Sequence, residues 1–307
     1  MVADPGRFLS SACGARARVM IRNYIELMKL RIGGMIALTA VVAYVAMTPT
    51  VQWGHLALLV LVMLLGSASS AVFNHYYDRD IDRHMRRTAQ RPLVTGALGD
   101  PRRALWLAAA LLLSGTLLAG WVFNPVVSLH LFMGAFFYAV VYTVWLKRRS
   151  WLNIVFGGLA GSFAILAGAA SVRPELCALP LSLALVLFFW TPSHFWSLAI
   201  HLKEDYRRVG VPMLPVLVGE KRAARVILIN TLLLVAASLL PWIFGDLGRV
   251  YLAGAILAGT FFVWANLRLV RTPTPELGWF NFLASMKYLG LLFLAIVIDT
   301  VMKAPLL

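Results

Sequence analysis

Apolar runs of about twenty residues, the length needed to cross a bilayer, recur nine times along the chain. They fall near 29–48, 54–77, 103–123, 126–146, 151–171, 179–202, 223–244, 247–268 and 280–302. The pattern predicts an all-α polytopic membrane protein with nine transmembrane helices. It reads as one membrane domain over 1–307, with 1–28 as a basic N-terminal segment.

The polar connections are unequal. Those at Pro49 to Gln52, Asn124-Pro125, Pro174 to Cys177 and Gly245-Asp246 are short, whereas 78–103 and 203–222 are long and fall together on the other side. Basic residues sort the same way: seven arginines lie between 79 and 103, and Lys147, Arg148 and Arg149 follow the fourth run. The opposite side carries only Arg173, Arg249 and Lys303. Cationic loops stay in the cytoplasm, so the N-terminus is expected there and the C-terminus outside. Chemistry is then expected at the inner face, where the long connections are.

The first long connection opens with Asn74-His75-Tyr76-Tyr77-Asp78-Arg79-Asp80-Ile81-Asp82. Continued as helix, Asn74, Asp78 and Asp82 share one face and present oxygen donors in one direction. Mg²⁺ bound with a polyphosphate takes one or two carboxylates plus phosphate oxygens, which this face could offer. The spacing fits equally well a water-exposed helix end whose carboxylates pair with nearby arginines. The second constellation is His194, His201 and Asp205 around the end of the sixth run, again within a narrow stripe if the helix continues, with Pro192 at its start. Two histidines and an acid on one stripe of a membrane helix mark a candidate site, although His194 could simply bond a backbone carbonyl while His201 and Asp205 sit in interfacial water. Gly157-x-x-x-Gly161, with Gly158 and Gly168, and the small run Gly66 to Ala71 read as packing surfaces; the latter could also leave room for a long apolar chain below the acidic face.

Composition agrees with a membrane protein: of 307 residues, 61% are hydrophobic and 13% charged, with mean hydropathy +0.80. The net charge of +15 follows from loop topology rather than nucleic-acid binding. Cys13 and Cys177 fall on opposite sides and fit no metal-ligand spacing. The N-terminal segment has no evident cleavage site and is expected to be retained; its basic, nearly acid-free composition would also suit an organellar transit peptide.

The block NHYYDRDIDRHMRRTAQRPLVTG (74–96) resembles the first aspartate-rich motif of the UbiA superfamily of intramembrane prenyltransferases. Within it, WTPSHFWSLAIHLKEDYRRVGVPMLPV (190–216) is similar to the signature of the haem-farnesylating branch, the protohaem IX farnesyltransferases, and a weaker match near 280–299 extends the likeness over nearly the whole chain. The chain departs from the pattern at Lys29-Leu30-Arg31, where the family has K-P-R, and at 161–170, where the family has a proline-containing segment.

The resemblance implies a UbiA-type bundle, with farnesyl diphosphate as donor, haem b as acceptor, and haem O with diphosphate as products. It implies Mg²⁺ on Asn74, Asp78 and Asp82, with a second ion near Asp205. Arg87, Arg91 and Lys147 are then expected to neutralise diphosphate, and His194 and His201 to bind or orient haem. It also implies a multi-pass protein of the cell inner (plasma) membrane, or less readily of the mitochondrial inner membrane, whose product passes to haem A synthase or oxidase assembly. The alternatives are a UbiA-type enzyme acting on an aromatic acid or quinone precursor, and a non-enzymatic haem-handling or transport protein.

Overall fold

The computed structural model describes residues 18–48 and 50–303. Nine helices among them are long and apolar enough to span a membrane: α1 (Leu30–Met47), α2 (Trp53–Tyr77), α3 (Arg102–Val122), α4 (Pro125–Leu146), α5 (Asn153–Ala170), α6 (Ala178–His201), α7 (Glu220–Ile243), α8 (Arg249–Arg271) and α9 (Pro275–Lys303). Each lies within five residues of its expected position; α9 starts earliest, because Pro275 is well tolerated in a first helical turn. Cys13, Arg7, Arg16 and Pro49 lie outside the described residues.

Helix is the outcome because a backbone in hydrocarbon has to satisfy its own hydrogen bonds. Local signals set the ends. Asn124 accepts from Val126 N and Val127 N, both at 3.0 Å, just before Pro125, which starts α4. Buried Asp299 on α9 accepts from Gly248 N at 2.6 Å and Tyr251 N at 3.2 Å, so a neighbouring helix caps α8. Three spans are irregular: α4 becomes a π-helix over Phe137–Leu146, α5 is interrupted at Gly158, and α7 is interrupted between Ala237 and Leu240.

Chain neighbours pack together, and α1 against α5 and α6 against α9 close the first five and last four helices into two sub-bundles. These meet along α5 with α6 and α1 with α9. The small-residue surfaces are packing surfaces, as expected. A Cβ on Gly168 would sit 2.1 Å from the Ala40 carbonyl oxygen, so α1 and α5 touch backbone to backbone there. Across α6 to α9 a buried polar ladder links Ser193 to Thr231 (2.8 Å), Thr231 to Asn266 (3.3 Å) and Asn281 to Ser197 (2.8 Å). Hydrogen bonds between membrane helices hold the second sub-bundle by more than apolar contact.

The two long connections converge at one end of the bundle. Met85 from the first packs with Tyr206, Val211, Met213 and Leu214 from the second. Leu93 and Leu98 tuck against Leu27 and Ala104, so the first connection is folded onto the bundle rather than trailing in solvent.

Candidate active site

The acidic motif spans the end of α2. The long helix stops at Tyr77, Asp78 stands at the junction with φ −88° and ψ 1°, and a short helix covers Arg79–Asp82. The expected unbroken helix is therefore corrected, yet the Asp82 amide still donates to the Asp78 carbonyl at 2.8 Å, so the motif stays coiled. Asn74, Asp78 and Asp82 are all buried, Asp78 completely. A water-exposed helix end is excluded.

Cations arrive from three elements. Asn74 Nδ2 donates to Asp78 Oδ2 at 2.6 Å and to Thr143 Oγ1 at 3.3 Å, while Asn74 Oδ1 accepts from Lys29 Nζ at 2.9 Å. Lys29 has left-handed backbone angles, φ 47° and ψ 49°, unusual for a residue with a Cβ, where the chain turns into α1. Lys147 pairs with Asp78 Oδ2, and Arg91 with Asp82 Oδ2. The π-helix explains the first of these: its wider turn shows in Lys147 N donating to Tyr142 O (2.8 Å) and Thr143 Oγ1 to Tyr138 O (2.8 Å), which re-aims Thr143 and Lys147 at the motif. Arg148 holds Asp80 with two 2.7 Å hydrogen bonds, which keep that carboxyl below its usual range, and stands 3.6 Å from Asp78 Oδ1. Asp78 Oδ1 itself accepts no hydrogen bond within the described residues.

Arg87 is exposed and has no ion pair among the described residues. Of the three cations expected at the diphosphate, the structure brings Lys147 and Arg91 onto the carboxylates and leaves Arg87 at the rim.

The second constellation is one stripe only for its two histidines, which both face α9. α6 ends at His201, Leu202 breaks the run with φ −102° and ψ 23°, and Asp205 sits half-buried in a separate short helix, Lys203–Arg208. His194 is buried against α9: its Nδ1 is 2.7 Å from Ser285 Oγ, and its ring stacks on Trp190 at 4.2 Å and Phe282 at 4.3 Å. His201 is exposed, donates to Pro275 O at 3.1 Å, and leans on Trp279. Asp205 does not join Asp78 and Asp82: no cluster of three or more His, Cys, Asp or Glu placed to hold an ion occurs among the described residues.

Below the polar cluster lies a narrow cavity within the first sub-bundle, bounded at the charged end by Lys29 and Tyr138 and continued by Gly66, Ser70, Ala135 and Ala164. Its lining is mostly apolar and small, so the run at Gly66 to Ala71 serves both packing and space. Charged head above and apolar slot below suit an amphiphile with an anionic head and a hydrocarbon tail.

Residues 35–295 match the UbiA prenyltransferase family. The chain belongs to that family. Among UbiA relatives it is 58% identical over 278 residues to protoheme IX farnesyltransferase 1 of Paramagnetospirillum magneticum, covering 91% of this chain and 98% of that one. It is 41% identical over 280 residues to the protoheme IX farnesyltransferase of Pyrobaculum neutrophilum, covering 89% and 98%. Its fold is like that of a digeranylgeranylglyceryl phosphate synthase (TM-score 0.77, 20% identity, 92% of this chain and 99% of the other). A UbiA homologue from Archaeoglobus fulgidus bound to DMAPP and Mg²⁺ is similar too (TM-score 0.66, 19% identity, 90% and 99%).

Three residues of this UbiA site escape sequence reasoning. Lys29 reads only as a basic flank of the first span, and Thr143 as one hydroxyl in an apolar helix. Nothing in Phe137–Leu146, which lacks Gly and Pro, announces the π-helix that delivers Thr143 and Lys147. His75 is buried beside Asn74 with neither ring nitrogen bonded, and nothing in the structure assigns it a role.

Proposed function

We propose that this chain transfers the farnesyl group of farnesyl diphosphate to a vinyl group of haem b, with addition of water, giving haem O and diphosphate. The observation that carries the prenyl-transfer reading is the buried pair Asp78 and Asp82, ringed by Lys29, Lys147 and Arg91, at the mouth of the small-residue apolar cavity. The acceptor is supported by the names of the relatives, the nearest in identity of those given above at 58%.

Oxygen donors on Asn74, Asp78 and Asp82, with the unbonded buried Asp78 Oδ1 among them, fit a hard divalent cation such as Mg²⁺. When bound, Mg²⁺ would neutralise the charge that grows on diphosphate as the allylic C–O bond breaks. A second ion near Asp205 rests on the family resemblance alone, since Asp205 stands apart from Asp78 and Asp82. Lys147 and Arg91 exchange part of their hold on the carboxylates for diphosphate oxygens, and Arg87 reaches in from the rim. The cavity takes the farnesyl tail and keeps water from the allylic carbon. The vinyl carbon of haem b then forms the new C–C bond as diphosphate leaves. Water adds to the resulting cation and loses a proton, leaving the hydroxyethylfarnesyl group. His194 and His201 bind or orient the haem on the α6 and α9 side.

The charged end faces the cytoplasm, so the N-terminus is inside, the C-terminus outside, and the protein resides in the cell inner membrane. Its product passes to haem A synthesis or oxidase assembly. The test is mass spectrometry of products from purified protein with haem b, farnesyl diphosphate and Mg²⁺, beside an Asp78→Ala control. A farnesylated haem that depends on Asp78 supports the reading. Diphosphate release with unaltered haem refutes the acceptor, and no reaction from folded protein refutes the enzyme.

A further inference from the structure

His130 stands on α4 in the wall of the cavity, nine-tenths buried, and neither ring nitrogen has a partner among the described residues. Two other polar groups of the wall do have partners: Lys29 donates to Asn74, and Ser70 Oγ donates to Gly66 O at 2.9 Å. Its depth follows from its neighbour. A Cβ on Gly66 would meet Leu131 at 3.0 Å, so the start of α4 is level with Gly66 on α2. Gly66 is eight residues from Asn74, about 12 Å down the helix axis at 1.5 Å per residue. The imidazole therefore lies at the end of the cavity far from the charged cluster, beside Leu131, Met63 and Ala164. Packing alone does not call for nitrogen at that depth; its ring meets Phe163 only at 6.0 Å, and a leucine would fill the space without an unpaired donor and acceptor.

We propose that His130 sets the length of prenyl chain the cavity accepts, by ending its apolar wall with a group whose nitrogens can be paired only from the cavity side. This rests on the prenyl-transfer reading above. A tail that stops short of the ring leaves the end of the cavity open to water, which can pair with the nitrogens that the protein does not. A tail one isoprene unit longer covers them with hydrocarbon, and a pocket that strands a buried polar group discriminates strongly against the ligand that strands it. Discrimination comes from polarity, not volume, which separates His130 from an ordinary steric floor.

The experiment uses the full chain in lipid nanodiscs with haem b, Mg²⁺ and an equimolar mixture of farnesyl and geranylgeranyl diphosphates, with both haem products counted by mass spectrometry. Leucine keeps much of the volume and removes the nitrogens, so His130→Leu is expected to raise the ratio of geranylgeranylated to farnesylated haem about tenfold or more. His130→Gln, which keeps a donor and an acceptor, is expected to hold the wild-type ratio. His130→Met carries the same expectation as leucine should that variant fail to accumulate. The proposal is overturned if the leucine and methionine variants keep the wild-type ratio, or if glutamine shifts it as far as they do. Wild-type protein that prenylates haem with an unchanged ratio across the variants sinks His130 alone. Wild-type protein that uses neither donor sinks the prenyl-transfer reading, and this proposal with it.

Discussion

Replacing Gly168 by alanine tests how the cavity is held open. The new Cβ would lie 2.1 Å from the Ala40 carbonyl oxygen and 2.7 Å from its carbon, where ordinary contact begins at 3.4 Å. A backbone carbonyl within a helix cannot rotate away, so α1 and α5 have to part by about 1 Å in a close-packed interior. Overpacking of this kind costs about 1–3 kcal/mol. The same two helices carry Ile36 and Ala164 in the wall of the cavity, and α1 follows directly on Lys29 of the charged cluster, so parting them loosens the seat of the tail and strains the Lys29 contact with Asn74. A displacement of about 1 Å at a reacting group can cost up to a hundredfold in rate, and we expect kcat/KM for farnesyl transfer to fall about ten- to a hundredfold. Gly34→Ala is the control: it lies on α1 with nothing within 4 Å of the added methyl, and alanine in a helix is favoured by about 0.5–1 kcal/mol. Thermal unfolding in detergent and product formation by mass spectrometry read both effects. If Gly168→Ala matches Gly34→Ala in midpoint and in rate, the close crossing does not shape the site.

Four further outcomes follow, three from the charges around the motif and one from the histidines of α6. Asp78→Ala and Asp82→Ala are each expected to lose haem-product formation by about 10²- to 10³-fold, as for removal of a group that stabilises transition-state charge. Arg91→Ala leaves the buried Asp82 unpaired and should cost about 3–5 kcal/mol of stability, whereas exposed Arg87→Ala should keep its unfolding midpoint and raise KM for the diphosphate donor. Chelation of divalent cations should stop product formation, restored by Mg²⁺, without a drop in unfolding midpoint, because Lys147 and Arg91 already hold the two carboxylates; loss of midpoint on chelation would contradict that pairing. Replacing His194 and His201 together by alanine should abolish the haem-binding change in visible absorption, and an unchanged spectrum removes them as haem ligands.

The sequence by itself determined the nine spans, because hydrocarbon solvent forces long uncharged runs into helices whatever their neighbours. It also marked Asn74, Asp78 and Asp82, because carboxylates at the end of such a run need a compensating partner. Only the tertiary structure decided which partner each one takes. Lys147 is remote in sequence from Asp78 and reaches it through a π-helix that no residue type in Phe137–Leu146 signals. Lys29 meets Asn74 because the chain turns in a left-handed conformation that a lysine rarely adopts. The stripe His194, His201 and Asp205 was legible only as a spacing; His194 and His201 do share a face against α9, one buried and one exposed, but Leu202 ends the helix and puts Asp205 in a separate short helix. The cavity is decided in the same way, since small residues on α2, α4 and α5 make either a tight seam or an open slot according to how far apart packing elsewhere holds their backbones. Solvent fixes the spans locally, but pairing of buried charge depends on contacts between distant helices, and that information exists only once the bundle has closed.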